Sequence, residues 1–397
     1  MRVGFLFNHD QIHQIAHSLP IAIALLPHAE VVLAATSEKL ANEIRRIGAA
    51  AGHPWLSPLR LGLSSRTSRL LEQGLGRALP ARKLLVYRDN LEFFETLDAL
   101  VVTERTSLML KTRYGLSDLP IILADHGAGD RKIGFGREAS RFDHILAAGP
   151  KIRDRLIGEA GVEPARITIT GYPKFDLRRL APATLPFAAS GRPAVLYNPH
   201  VSPHLSSWFT QGRRVLDFFL ASDRYNLIFA PHVMLFERRW ALSIDRLRIA
   251  RPRDLDRRYF QAPNIHIDLG SPASTDMSYT DAADIYLGDV SSQIYEFLRR
   301  PRPALFLNAH HVSYDGDPNY AHWRAGPVIS DAAELESGLR AASEEHAPRY
   351  ASVQRELFDY TFDVQDEPSS ARGARAILDY LSRRGRSLPL PGSWRIA

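Results

Sequence analysis

Short apolar runs alternating with longer amphipathic stretches constrain this chain more than any other feature. Runs at residues 3–7, 31–35, 99–103, 121–124 and 144–147 are four or five residues long and rich in Val, Ile, Leu and Ala. Helical stretches lie between them, for instance 37–51, with Ser37 placed to cap it. The same grammar restarts at 194–197, 226–230, 265–267, 285–287 and 304–307, with 215–220 and 293–299 as parts of the intervening helices. Strand, helix, strand in this order predicts parallel βαβ units, an α/β class. The stretch 53–82, rich in Leu, Arg, Ser and Gly, fits either a helix or a loop. Pro and Gly at 181–186 and 190–193 break the pattern as a linker would.

The 397 residues exceed one ordinary core and fit two domains of roughly 150–200 residues each. The expected division is 1–180, 190–365 and a C-terminal helix within 366–397 that packs back across the junction. Two open parallel sheets joined by a short linker leave a cleft, with ligands beyond the carboxyl ends of the strands.

Composition narrows the function classes. Hydrophobic residues at 45% and charged residues at 24% describe a folded globular protein. No apolar run approaches the roughly 18–20 residues needed to cross a bilayer, and the apolar start at 3–7 is too short for a signal peptide, so a cytoplasmic protein is expected. With no Cys, disulfides and thiolate metal sites are excluded. The net charge of +6 comes from arginine-rich patches at 238–239, 246–258 and 299–302. These read first as solvated surface, and second as attraction to phosphorylated ligands or an anionic membrane face. Nucleic acid is not an expected partner, because aromatics are not interleaved with the basic residues.

Polar clusters follow several of the predicted strands. Asp289-Val290-Ser291-Ser292 follows 285–287 and opens a helix bearing Ile294, Phe297 and Leu298 on one face. Two hydroxyls and free N–H groups at a helix start favour an anion, and Glu296, one turn on, is within reach of ribose hydroxyls. The bland alternative is an N-cap followed by a surface acid. Asp125-His126-Gly127-Ala128-Gly129-Asp130 follows 121–124, where small residues allow close backbone approach and His126 suits a general base, or else simply a turn. Pro231-His232 and Asn198-Pro199-His200 end two strands of the second half in the same manner. His200 and His204 lack the Cys or carboxylate partners of a metal site. His9, His13 and His17, four apart, would share one face on a helix, but His9 in the first loop and a solvated or cleft-lining helix side are preferred to a metal face. Gly171-Tyr172-Pro173-Lys174 reads as a turn. A nucleophile elbow, a P-loop, a His-Glu-x-x-His and a Gly-x-Gly-x-x-Gly after the first strand are all missing, so neither a metal nor a bound cofactor is expected.

Taken in order, Asp125-His126-Gly127, 142–149, Gly171-Tyr172-Pro173, Tyr197-Asn198-Pro199, Pro231-His232 and 284–297 resemble the CDP-glycerol glycerophosphotransferase family of teichoic-acid polymerases and primases. The most specific stretch is the last, where the family pattern Asp-x-x-x-x-Asp-Tyr-Ser-Ser-x-x-x-Asp-Phe meets Asp284, Asp289, Val290, Ser291, Ser292, Glu296 and Phe297. The resemblance implies the GT-B fold, two facing Rossmann-like parallel-sheet domains with a cleft between them. It implies that His126 activates an acceptor hydroxyl and that His232 contacts donor phosphate. Gly127, Asn198, Asp289, Ser291, Ser292 and Glu296 would then hold the donor. The chain departs from the pattern at Ala128-Gly129, where the family has Thr-Pro, and at Val290, where it has Tyr.

The implied partners are a nucleotide-activated donor, CDP-glycerol or a nucleotide sugar, and a lipid- or glycan-linked acceptor of the cell envelope. A peripheral contact with the inner face of the membrane is compatible with such an acceptor. The competing readings are a GT-B glycosyltransferase or UDP-sugar 2-epimerase-like enzyme, and a non-catalytic nucleotide-binding relic. The basic end of the last helix, 383–386, suits a dipole-favoured C-terminus or membrane phosphates.

Overall fold

The computed structural model describes residues 1–9, 12–75, 81–126, 128–177, 184–237, 240–243, 248–252 and 254–385. The chain forms two compact units. The first comprises Met1–Gly127, Phe135–Arg178 and Tyr360–Ala397, and the second Ala128–Gly134 and Arg179–Asp359. The short segment that follows Gly127 therefore belongs to the second unit, although the strands before and after it belong to the first.

The first unit is built on seven strands: β1 (Arg2–Phe7), β2 (Glu30–Ala35), β3 (Leu59–Arg60), β4 (Ala99–Val102), β5 (Ile121–Ala124), β6 (His144–Ala147) and β7 (Ile167–Ile169). They pair in the order β3-β2-β1-β4-β5-β6-β7, every pairing parallel. Val3 lies opposite Val31 on one side and Ala99 on the other. Phe5, Phe7, Val101, Ile122 and Leu146 form the core on one face with Leu19, Ile21, Leu40 and Ile44 from flanking helices. Ser37 caps the helix Glu38–Ala50 as expected, its hydroxyl accepting the Leu40 N–H at 3.2 Å. The C-terminal helix Ser369–Arg383 adds Ala374, Ile377 and Leu381 to this core. Any Cβ at Gly373 would stand 3.0 Å from Ile21, so glycine permits that close helix packing.

The second unit repeats the architecture with β8 (Ala194–Asn198), β9 (Asn226–Phe229), β12 (Ile265–Ile267), β13 (Ile285–Gly288), β14 (Ala304–Leu307) and β15 (Val328–Ile329). A separate antiparallel hairpin pairs β10 (Ala241–Ser243) with β11 (Arg248–Ala250). The main sheet runs β12-β9-β8-β13-β14-β15, again all parallel. Both sheets thus start at a central strand, grow to one side and then to the other, which is the doubly wound plan.

All ten predicted strands are present within a residue or two of their expected ends. β3, β7, β15 and the hairpin escape the sequence pattern because two or three residues carry no readable period. The undecided stretch 53–82 holds β3 and the helix Arg66–Leu75. The 299–302 patch is not uniformly solvated: Arg302 is half-buried and donates to the carbonyls of Thr280 and Phe297 at 2.8 and 3.0 Å, its guanidinium pushed down to about 10 by burial. Among the described residues no helix is long and apolar enough to cross a membrane.

Candidate functional site

In a doubly wound sheet the strand order reverses once, and the loops leaving the two strands at that point diverge to opposite faces. In the second unit the reversal lies between β8 and β13, where Asn198 is the register partner of Gly288. The two polar motifs flagged in the sequence leave the sheet side by side there. Asp289 is buried and fully engaged. Its Oδ1 accepts the N–H groups of His200 (2.9 Å) and Val290 (2.6 Å), while its Oδ2 accepts the N–H and hydroxyl of Ser207 at 2.7 and 2.8 Å. Burial nonetheless pushes its carboxyl above the ordinary range. The carbonyl of Asp289 is held as well, accepting the Trp323 indole N–H at 2.7 Å with His322 Nε2 at 3.0 Å.

Ser291 donates to Asn198 Oδ1 at 2.5 Å, and Asn198 Nδ2 donates to the Ala230 carbonyl at 2.6 Å, tying the ends of β8, β9 and β13 together. Ser292 is exposed and makes no capping bond to the helix Gln293–Phe297 that it opens. Glu296 is buried in that helix. His232 and His200 approach each other, their ring centres 5.9 Å apart. Each ring is fixed by its own loop: His232 Nδ1 accepts from Met234 N–H (3.3 Å) and His200 Nδ1 from Ser202 N–H (2.9 Å). The acceptor role of Nδ1 leaves the proton on Nε2 of both neutral rings. Burial pushes His232 down to about 4 and His200 well below its usual value, the latter also through His232, Arg131 and His204.

Asp130, the last residue of the Asp125–Asp130 motif, lies within the second unit. Its carboxylate accepts the Tyr295 hydroxyl at 2.7 Å, the His322 N–H at 3.0 Å and His322 Nδ1 at 2.8 Å. His322 therefore bridges Asp130 to the carbonyl of Asp289.

In the first unit the reversal lies between β1 and β4. His9 follows β1 and Thr103 follows β4, and they meet as His9 Nδ1···Thr103 Oγ1 at 3.1 Å. Asn8 anchors the same loop by donating to the Lys83 carbonyl at 2.9 Å and accepting from Thr36 at 3.1 Å. The segment Ile12–His17 forms a 3₁₀ helix rather than an α-helix, so residues four apart no longer stack directly above each other. His17 still turns inward, its ring 5.1 Å from Tyr172 and 6.1 Å from His126. Gly171 delivers Tyr172 there: its φ of +84° is a left-handed conformation, and a Cβ would collide with Arg372 and Ser369. Burial pushes both His9 and His17 well below the usual imidazole range. Neighbouring His126, Lys83 and His13 add to this at His9, and Lys174, His126, His13 and His9 at His17.

The structure thus gathers Asn198, His232, Asp289 and Ser291 at the β8–β9–β13 ends, with Ser292 and Glu296 on the adjoining helix. His126 lies at the end of β5 among the first unit's histidines. Gly127 lies outside the described residues. No group of three or more His, Asp or Glu is arranged to hold a metal among the described residues. Sequence reasoning missed Ser207, His322, Trp323 and Lys174. Only Lys174 carried a signal, through its place in the Gly171-Tyr172-Pro173 turn.

No protein-family model matches the chain, and no curated protein matches it. Solved structures do. UDP-N-acetylglucosamine 2-epimerase from Rickettsia bellii is 14% identical with a TM-score of 0.61, covering 98% of each chain. UDP-GlcNAc 2-epimerase from Neisseria meningitidis bound to UDP-GlcNAc is 12% identical with a TM-score of 0.59, covering 96% of this chain and 100% of the other. A variant of the wall teichoic acid polymerase TagF soaked with CDPG is 13% identical with a TM-score of 0.58, covering 97% and 90%. The chain has the GT-B-like fold of these proteins, two parallel-sheet α/β domains.

Proposed function

We propose that this protein is a transferase that moves a glycerophosphate-type group from a CDP-activated donor to an acceptor hydroxyl in cell-envelope synthesis. The observation that carries the reading is the ordered turn after β13, where Ser291 and Ser292 leave the second sheet at its point of reversal and Ser291 is tied through Asn198 to the carbonyl of Ala230, two residues before His232. A ligand at that point meets the exposed hydroxyl of Ser292 and the Nε2–H of neutral imidazoles. These are donors suited to phosphate oxygens without the desolvation penalty of a buried charge. Asp289, Asn198 and Ser291 act on the donor indirectly, because their polar atoms already hold the turn in place. Glu296 takes the ribose. In the first unit His126 accepts the proton of the acceptor hydroxyl. The hydroxyl oxygen bonds to the glycerol-bearing phosphorus, the phosphoanhydride bond breaks and CMP leaves with the electron pair. The sequence motifs shared with the glycerophosphotransferases and the fold shared with a CDPG-soaked TagF both support this reading.

A second reading, a nucleotide-sugar enzyme, is favoured by the fold shared with UDP-GlcNAc 2-epimerases. Following nucleotide release from CDP-glycerol and UDP-GlcNAc separates the two. CMP from CDP-glycerol supports the transfer, whereas turnover of UDP-GlcNAc alone overturns it.

A further inference from the structure

Asp130 closes the motif that carries His126, yet the transfer reading gives it no task. It lies within the second unit and forms a buried pair with His322, the two side chains 1% and 3% exposed. The ring of His322 is enclosed by Phe306, Trp323 and Tyr295, whose ring centres stand 5.7, 6.1 and 6.4 Å away. Each of its nitrogens meets an oxygen. Nδ1 lies 2.8 Å from Asp130 Oδ2, and Nε2 lies 3.0 Å from the main-chain carbonyl of Asp289.

These partners fix the ring's hydrogens. A carbonyl oxygen can only accept, so Nε2 carries one. Asp130 Oδ2 already receives the Tyr295 hydroxyl at 2.7 Å and the main-chain N–H of His322 at 3.0 Å. An oxygen that gathers such hydrogens belongs to an ionised carboxylate, which can only accept, so Nδ1 carries a hydrogen as well.

We propose that His322 is an imidazolium, held in that state by Asp130, which positions and polarises the turn after β13 for an anionic substrate. The inference deepens the transfer reading and rests on it for the identity of that substrate; the charge on the ring rests on the geometry alone.

The pair has a direction. From the Asp130 carboxylate through the His322 ring to the Asp289 carbonyl, the positive member is the one next to the turn. A buried ion pair adds little to stability by itself, so its orientation is the informative property. An anion at the turn meets the positive end of a fixed dipole, in a dry place where the attraction is little screened. The peptide between Asp289 and Val290 is also clamped at both ends. Its carbonyl accepts the Trp323 indole N–H at 2.7 Å besides His322, and its N–H donates to Asp289 Oδ1 at 2.6 Å. That peptide leads directly into Ser291 and Ser292, and the bond from a charged ring is the stronger of the two on its carbonyl. His322 acts through the turn, which makes it a positioning residue. Under the transfer reading the leaving CMP gains negative charge as the phosphoanhydride bond breaks, so a polarised turn matters more in the transition state than in the bound substrate.

The direct test is nitrogen-15 NMR of the full chain labelled at histidine, at neutral pH. Both ring nitrogens of His322 should show one-bond coupling to hydrogen, in signals that vanish in His322→Gln. A bare nitrogen on that ring overturns the proposal whatever the substrate is. Steady-state kinetics with CDP-glycerol test the positioning. Gln at 322 offers an N–H to the Asp289 carbonyl without charge, and kcat should fall about 10–100-fold, the loss of one charge-assisted bond. KM should move less than about threefold, because the lost stabilisation belongs to the transition state. Asp130→Asn keeps the shape and removes the carboxylate; it should lower kcat in the same manner and leave His322 with one ring hydrogen. Unchanged kcat in both variants, or a rise in KM alone, removes His322 from the positioning role. Should a variant fail to fold, the ring hydrogens of wild type still decide. No CMP released from CDP-glycerol by wild type refutes the transfer, and two protonated nitrogens then leave the imidazolium standing.

Discussion

The two sheets share a strand plan but treat their points of reversal in opposite ways. In the second unit almost every polar atom there is spent on the protein itself: Asp289 accepts four hydrogen bonds, and Asn198 and Ser291 satisfy each other. In the first unit the comparable place presents buried imidazole nitrogens with no hydrogen-bond partner among the described residues. The difference teaches that one fold can make the same location a rigid, internally bonded cradle or a surface with hydrogen-bonding capacity to spare. A cradle must hold its shape against a charged, flexible donor. A base must keep an atom available to receive a proton.

The sharpest way to break the comparison is His126→Ala. Turnover should fall about 10²–10⁴-fold, as for loss of a general base, while nucleotide affinity, which the proposed function assigns to the second unit, stays nearly unchanged. Measuring both on one preparation is decisive, and a parallel loss of binding would remove His126 from the catalytic role. Next in size is the stability contrast. Asp289→Ala strands four buried donors and should lower the unfolding free energy by about 3–5 kcal/mol in urea titrations. His17→Asn, where no bond is lost at Nδ1, should change it by less than about 1 kcal/mol. Similar values for the two would erase the distinction between cradle and surface.

The smallest effect concerns acid. His9, His17, His144, His200 and His232 all have pKa values depressed by burial, His144 and His232 to about 4. The unfolded chain, with imidazoles near 6.5, binds protons that the folded one refuses. Stability is therefore complete above about pH 6.5 and declines as pH falls toward 4. Each such histidine contributes up to about 1.4 kcal/mol per pH unit within its window. Urea midpoints at neutral and mildly acidic pH check the sign, and a midpoint that rises on acidification contradicts it.

Much of this was legible in the sequence because it is local. Ser37 capping its helix, the ten strands and the polar turns after β5, β8, β9 and β13 follow from side-chain period and turn chemistry within a dozen residues. His9, His13 and His17 were visible as a spaced set, although only His13 and His17 lie in the 3₁₀ helix and His9 precedes it. The buried role of Lys174 was not legible, since a lysine in a Pro-containing turn looks like any exposed one. Nor was the locking of Asp289, because its partner Ser207 lies 82 residues away.

The chain by itself determined two parallel α/β sheets, their punctuation and the inventory of histidines, hydroxyls and acids that end their strands. Tertiary structure decided which of those groups became neighbours. Strand order set Asn198 beside Gly288 and His9 beside Thr103, and burial then made Asp289 a scaffold and left His9 and His17 neutral with nitrogens to offer. The physical reason is that periodicity is written residue by residue. Pairing across a sheet and exclusion of water are properties of segments far apart in the chain.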